Sequence, residues 1–172
     1  TVYLASPVRQ FADSNFSMLL SESVLREHSF ALERYLPGYR GEPVPPHHAG
    51  LRTWQLLTHR DHVFYLYPAG GSILSIPLVA AMNALGADAI TSDGTFDPVG
   101  ERNIQNVLAP LVTAAFAAVV YLLSRALLPR GSRVLVGIGG AFGTQAWSSA
   151  SRAMWSHTWT LLLLALALCH LT

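Results

Sequence analysis

The sequence predicts an all-α polytopic membrane protein: a helical bundle carrying an extracytoplasmic loop layer that contains an amphipathic helix and a small hairpin. Hydrophobic residues fill 51% of the 172 positions and charged residues only 12%. With the positive mean hydropathy, that balance is rare among soluble domains. The stretch IQNVLAPLVTAAFAAVVYLLS is uncharged throughout, and its roughly twenty residues match the ~30 Å hydrocarbon core of a bilayer. Arginines gather just after that stretch and acids just before it, the asymmetry that orients membrane helices.

The basic residues are all arginines, 11 against 10 acids, for a formal net charge of +1. So balanced a chain offers no polyanion surface and gives no case for nucleic-acid binding. Cys169 is the single cysteine, which excludes an internal disulfide framework and a cysteine-based zinc site. The chain begins TVYLASPVRQ without a methionine and ends inside the apolar LLLLALALCHLT. It is therefore expected to be a piece of a longer protein, with a membrane segment trimmed from before Thr1.

Residues 1–71 read as the extracytoplasmic layer and 72–172 as transmembrane helices of an incomplete bundle. After Asp13, the residues Phe16, Leu19, Leu20, Val24 and Leu25 recur at three- and four-residue spacings among polar ones, the pattern of a helix lying on a surface. LPGYRGEPVPPHHAG is too rich in Pro and Gly for regular structure, and LRTWQLL, THRD and HVFYLYP read as a hairpin within 51–67. Next, GSILSIPLVAAMNALGA suits a short Pro-bent membrane helix near 72–88, re-entrant or juxtamembrane. TSDGTFDPVGERN is a loop, and Asn103 to Ser124 is expected to be the longest membrane helix. RALLPRGSR, with Arg125, Arg130 and Arg133, reads as a cytoplasmic turn tight at 131–133. The small residues of VLVGIGGAFGTQAWSSAS suit close helix packing, and SHTWTLLLLALALCHLT starts another span with Trp155 and Trp159 at its boundary. This scheme gives a multi-pass membrane protein with the Asp13 layer outside.

The order of ADSNFSMLLSESVLREHSFAL, HRDHVFYLYPAGGSILSIPL, YLLSRALLPRGSR and FGTQAWSSASRAMWSHTWTLLLLALAL resembles the amino-terminal part of the GT-C glycosyltransferase superfamily. The group resembled is that of the protein mannosyltransferases and aminoarabinose transferases. The resemblance implies an integral membrane glycosyltransferase that moves a hexosyl or pentosyl group from a polyprenyl-phosphate carrier to an extracytoplasmic glycan, lipid or protein. It also implies a catalytic acid in the first extracytoplasmic loop, where Asp13 stands. The chain departs from that pattern in having ADSN where an acid pair is expected, and in matching the motif around Tyr67 only loosely.

Transfer from a lipid phosphate needs a base at the nucleophile and donors around the leaving phosphate. Asp13 suits the base, while Arg9, Arg152 and His157, with Tyr67, suit substrate binding. Each has a plainer reading: Asp13 before Ser14 also fits a helix N-cap, and Arg152 and His157 also fit snorkelling from a helix end. No resident cofactor is implied, though a divalent metal is compatible with His47, His48, His59, Asp61 and His62. Those histidines equally suit a solvated hairpin tip. The run Gly137, Gly139, Gly140 and Gly143 lacks the following Lys of a phosphate loop. Non-glycosyltransferase alternatives are a non-catalytic membrane assembly or scaffolding subunit and a transporter component, the latter expected to bury ionisable residues within its spans.

If the long apolar helix crosses the membrane, cysteines at Thr95 and Ser132, in a chain whose Cys169 is replaced by Ser, label from opposite sides. Equal labelling of both from outside contradicts the orientation.

Overall fold

The computed structural model describes residues 2–5, 13–37, 39, 53–143 and 146–171. Arg9, His47, His48 and most of the Pro- and Gly-rich loop lie outside these described residues. The chain divides into two compact units, one of Ala12–Ile104 and one of Thr1–Phe11 with Gln105–Thr172.

In the Ala12–Ile104 unit, helix α1 (Ser17–Glu27) leads through a short 3₁₀ turn, Glu33–Tyr35, towards a hairpin. Strands β1 (Leu56–His59) and β2 (His62–Tyr65) pair antiparallel with His59 opposite His62. Arg60 and Asp61 form the two-residue turn, both at positive φ (49° and 66°), the conformation whose twist suits two-residue hairpins. Leu32 N–H bonds the Val63 carbonyl at 2.8 Å and so ties the α1 exit to β2. Helix α2 (Gly70–Ala84) follows. Phe16, Leu19, Leu20, Leu32, Tyr35, Leu56, Val63 and Ile90 close the core.

The sequence makes α1 an amphipathic surface helix, but every residue from Ser17 to Ser23 is buried, polar and apolar alike. The serines make this enclosure possible. Ser21 donates to the Ser17 carbonyl and, at 2.8 Å, to the Ser72 carbonyl of α2, and Ser23 donates to the Ala31 carbonyl at 2.9 Å. Small side chains that spend their hydroxyls on backbone oxygens let α1 approach α2 closely, and the hydroxyl left buried without a partner is that of Ser72 on α2.

Helix α3 (Pro98–Leu127) has 30 residues. Asp97 opens it, with its side chain accepting from Val99 N–H at 2.9 Å, and Pro98 takes the first helical position, where a missing N–H costs nothing. In the second unit, α3 ends at Leu127 and α4 (Arg130–Phe142) starts after the two-residue link Leu128–Pro129. The turn expected at 131–133 is thus the first turn of α4. Pro129, at φ −65° and ψ 159°, places the break two residues earlier. Arg133 Nε caps the Leu128 carbonyl at 2.6 Å. A Cβ added at Gly140 would stand 3.1 Å from Val120 Cγ1, and one at Gly137 3.3 Å from Tyr121 Cδ2, so the glycine run lies close against α3. A π-helical turn, Ala146–Ala150, leads to α5 (Ser156–His170). At the chain start Tyr3 donates to the Ala141 carbonyl at 2.9 Å and packs against Phe142 and Trp147.

The polytopic bundle is not what the chain forms. Among the described residues α3 is the one helix long and apolar enough to cross a membrane. Helix α2 has 15 residues and α4 has 13. At ~1.5 Å per residue they reach about 20–23 Å, short of the ~30 Å hydrocarbon core. The short Pro-bent helix expected near 72–88 is α2, with Pro77 inside it.

Gly100 lies buried in the first turn of α3, where an added Cβ would fall 1.9 Å from the Asp88 carbonyl oxygen. Gly100→Ala is expected to destabilise by about 1–3 kcal/mol or more, because the clash is with backbone. A parental midpoint in thermal or denaturant unfolding would contradict this packing.

Candidate active site

The residues around Asp13 owe their placement to α1 and the hairpin. Asp13 sits in the turn that runs into α1 and is half-buried. That turn finishes at Phe16, which holds φ 69°, uncommon for a bulky residue. Phe16 is 1% exposed and packs on Phe96 with ring centroids 4.9 Å apart, so core packing maintains the conformation. Phe16 occupies the N-cap position and makes no side-chain capping bond. Capping is done from a distance: the buried Glu101 carboxylate of α3 accepts from Met18 N–H and Leu19 N–H, each at 3.3 Å. A carboxylate at a helix amino terminus also meets the positive end of the helix dipole. The N-cap reading of Asp13 therefore gives way, since Glu101 fills that role.

Two tyrosines close on Asp13 from the hairpin. Leu66 N–H bonds the Gln55 carbonyl at 2.8 Å, which extends the strand pairing past β2. Tyr65 and Tyr67, two residues apart, thereby share a face, and their rings lie 5.7 Å apart. The Tyr65 hydroxyl donates to the Asp13 backbone carbonyl, fixing the turn, and the Tyr67 hydroxyl hydrogen-bonds the Asp13 side chain. Both phenols are pushed up from their usual pKa. For Tyr65 the causes are burial first, then the charges of Glu101 and Asp13; for Tyr67 they are desolvation, then the charge and hydrogen bond of Asp13. Both stay protonated at neutral pH and act as donors. The result is a half-buried carboxylate with one phenol on its side chain, a second on its backbone and a water-accessible side.

Arg152 and His157 belong to the other unit. Arg152 Nε donates to the Trp147 carbonyl at 3.2 Å, and its guanidinium lies 5.7 Å from the Trp147 ring centroid, a cation–π geometry. His157 stands in the first turn of α5 beside Trp155. Its Nε2 is buried without a hydrogen-bond partner, and burial lowers its pKa. At neutral pH the ring is uncharged and offers a hydrogen bond rather than a cation. Arg9 lies outside the described residues.

Of the metal candidates, His59 and His62 face each other at the hairpin turn and His62 Nδ1 is 2.7 Å from Glu33 Oε1. Among the described residues no three His, Cys, Asp or Glu side chains converge. Tyr65 and Glu101 escaped the sequence reading. The spacing of the two tyrosines in FYLYP was a legible signal; the pairing of Glu101 with α1 spans more than eighty positions and left none. Compared with protein families, curated proteins and solved structures, the chain matches none.

Because the folded His157 titrates below its ordinary value, the unfolded chain binds more protons as pH falls beneath that value. Stability is fully present above it and declines as pH drops. His157→Gln should flatten the fall in thermal midpoint between pH 7.5 and 5.5, and an unchanged pH profile would show that the ring titrates freely.

Proposed function

We propose that the chain carries the acceptor-activating acid of a glycosyltransferase that uses a polyprenyl-phosphate-linked sugar at the extracytoplasmic surface of a bacterial cytoplasmic membrane. One observation carries this reading: the Asp13 carboxylate has no capping duty, is held by the Tyr67 hydroxyl, and is not fully buried. A carboxylate that a fold orients and leaves open is available to a substrate. The long apolar α3 supports attachment to a bilayer, where a lipid-linked donor resides.

In the reaction, Asp13 accepts the proton of an acceptor hydroxyl or amine as that atom attacks the sugar anomeric carbon. The carbon–oxygen bond to the carrier breaks, and its electron pair leaves with polyprenyl phosphate. Tyr67 holds the carboxylate in line and Tyr65 fixes the turn beneath it.

A non-catalytic membrane-assembly subunit is the second reading. It is favoured by the exposed Val134, Leu135, Val136 and Ile138 on α4, a helix too short to span. The two readings part at Asp13, which an assembly subunit does not need.

Asp13→Asn preserves shape and removes the proton acceptor, and with Glu101 capping α1 it leaves the helix intact. In membranes containing the full-length protein at matched abundance, transfer from radiolabelled polyprenyl-phosphate hexose or pentose should fall by about a hundredfold or more. Transfer at the parental rate ends the catalytic reading.

A further inference from the structure

Every acidic residue of the chain lies between Asp13 and Glu101. The unit of Thr1–Phe11 with Gln105–Thr172 contains Arg9, Arg125, Arg130, Arg133 and Arg152 and no Asp or Glu. A segment so one-sided in charge finds its counter-charge outside itself. Three of these arginines, Arg125, Arg130 and Arg133, flank the Leu128–Pro129 link between α3 and α4. Arg125 and Arg130 are exposed, and among the described residues neither pairs with a carboxylate. Arg133 is held at the link by its Nε bond to the Leu128 carbonyl.

Helix α4 turns back along α3. The Ser124 hydroxyl donates to the Arg133 carbonyl at 3.4 Å, Gly137 lies against Tyr121, and Gly140 lies against Val120, so numbers rise along one helix as they fall along the other. The arginines therefore stand at the tip of a helical hairpin. Along its flank, Val134, Ile138 and Phe142 recur every fourth residue and share with Leu135 the side of α4 turned away from those glycines. All four are exposed, Leu135 by 72%, and Leu122 and Leu127 of α3 are exposed as well.

The order of these groups selects the partner. Guanidinium groups at the tip and hydrocarbon along the flank repeat the order of a bilayer leaflet, headgroup layer first and acyl layer beneath. Attachment through the apolar α3 alone would be indifferent to lipid charge; five arginines without an acid are not. We propose that the α3–α4 hairpin seats in an anionic phospholipid bilayer, with Arg125, Arg130 and Arg133 on headgroup phosphates and Val134, Leu135, Ile138 and Phe142 against acyl chains. At about 20 Å, α4 enters the hydrocarbon without crossing it. The seat uses none of the chemistry at Asp13 and stands whether or not Asp13 is catalytic.

The test is flotation of the purified full-length chain, diluted out of detergent, with vesicles of phosphatidylcholine alone or of phosphatidylcholine mixed with phosphatidylglycerol. Binding is expected to be tighter to the mixed vesicles and to weaken as salt rises. Arg125→Gln and Arg130→Gln, both at exposed positions, should each lower binding to the mixed vesicles about fivefold and leave binding to neutral vesicles at the parental level. Leu135→Gln should lower binding to both kinds; if that variant misfolds, the arginine variants decide. Equal binding to the two kinds of vesicle, or arginine variants that bind like the parent, would overturn the proposal. So would arginine-dependent self-association in lipid-free ultracentrifugation, the sign that the acidic unit of a second copy is the partner. No sugar transfer is measured, so these outcomes are independent of the Asp13 assay.

Discussion

The Ala12–Ile104 unit depends on one constraint: α1 is enclosed, so every polar group it carries into the interior must be satisfied by protein. Its amino-terminal N–H groups receive the Glu101 carboxylate. Its own Glu22, with no exposed surface, accepts from Arg26 Nε, Asn83 Nδ2 and Ala89 N–H at 2.9, 2.9 and 3.2 Å. Buried charges persist only when paired or richly hydrogen-bonded, and removing one partner costs more than the bond itself. Glu22 and Glu101 therefore position the end of α2, the 88–89 segment and the start of α3 around one helix. The core of Phe16, Leu19 and Leu20 packs because these polar obligations are met.

That arrangement also explains why Asp13 is open. A helix whose first turn is served by a carboxylate from elsewhere has no use for a local cap, so the acid in the preceding turn is free to face solvent. Tyr65 and Tyr67 hold the turn's backbone and side chain from the hairpin. The hairpin is held in turn by Glu33, whose carboxylate accepts from Val63 N–H at 3.1 Å and pairs with His62. Hydrogen bonds to Glu33 and to the Asp13 carbonyl therefore hold β2 at its two ends, and its aromatic face comes to Asp13 as a consequence.

The second unit follows a different logic. Small residues on α4 admit the Val120 and Tyr121 side chains of α3, and Tyr3, Phe142 and Trp147 gather where the chain start meets the end of α4. Large apolar side chains on α3, α4 and α5 remain exposed, Leu135 and Leu127 among them. An apolar surface of that extent suits lipid or protein contact. Apolar composition measures surface to be covered; it does not measure how many helices reach across a bilayer.

By itself the sequence determined the local features. The long uncharged run of α3, the turn-bearing hairpin and the small-residue stretch of α4 each depend on neighbours a few positions away, which propensity and periodicity read directly, whereas the start of α3 at Pro98 fell inside a stretch read as a loop. Asp13 and Tyr67 were legible as polar groups beside helix and strand signals. Only the tertiary structure decided that α1 is enclosed rather than lying on a surface, that Glu101 caps it, and that Tyr65 braces Asp13. It alone also decided that the apolar stretches at 70–84 and 130–142 form helices too short to cross. The division has a physical cause: a periodic pattern shows which side of a helix is apolar, whereas the burial of Ser21, Glu22 and the first N–H groups of α1 depends on hydrogen-bond partners 51 to 82 residues away, and one strand of sequence carries no record of those.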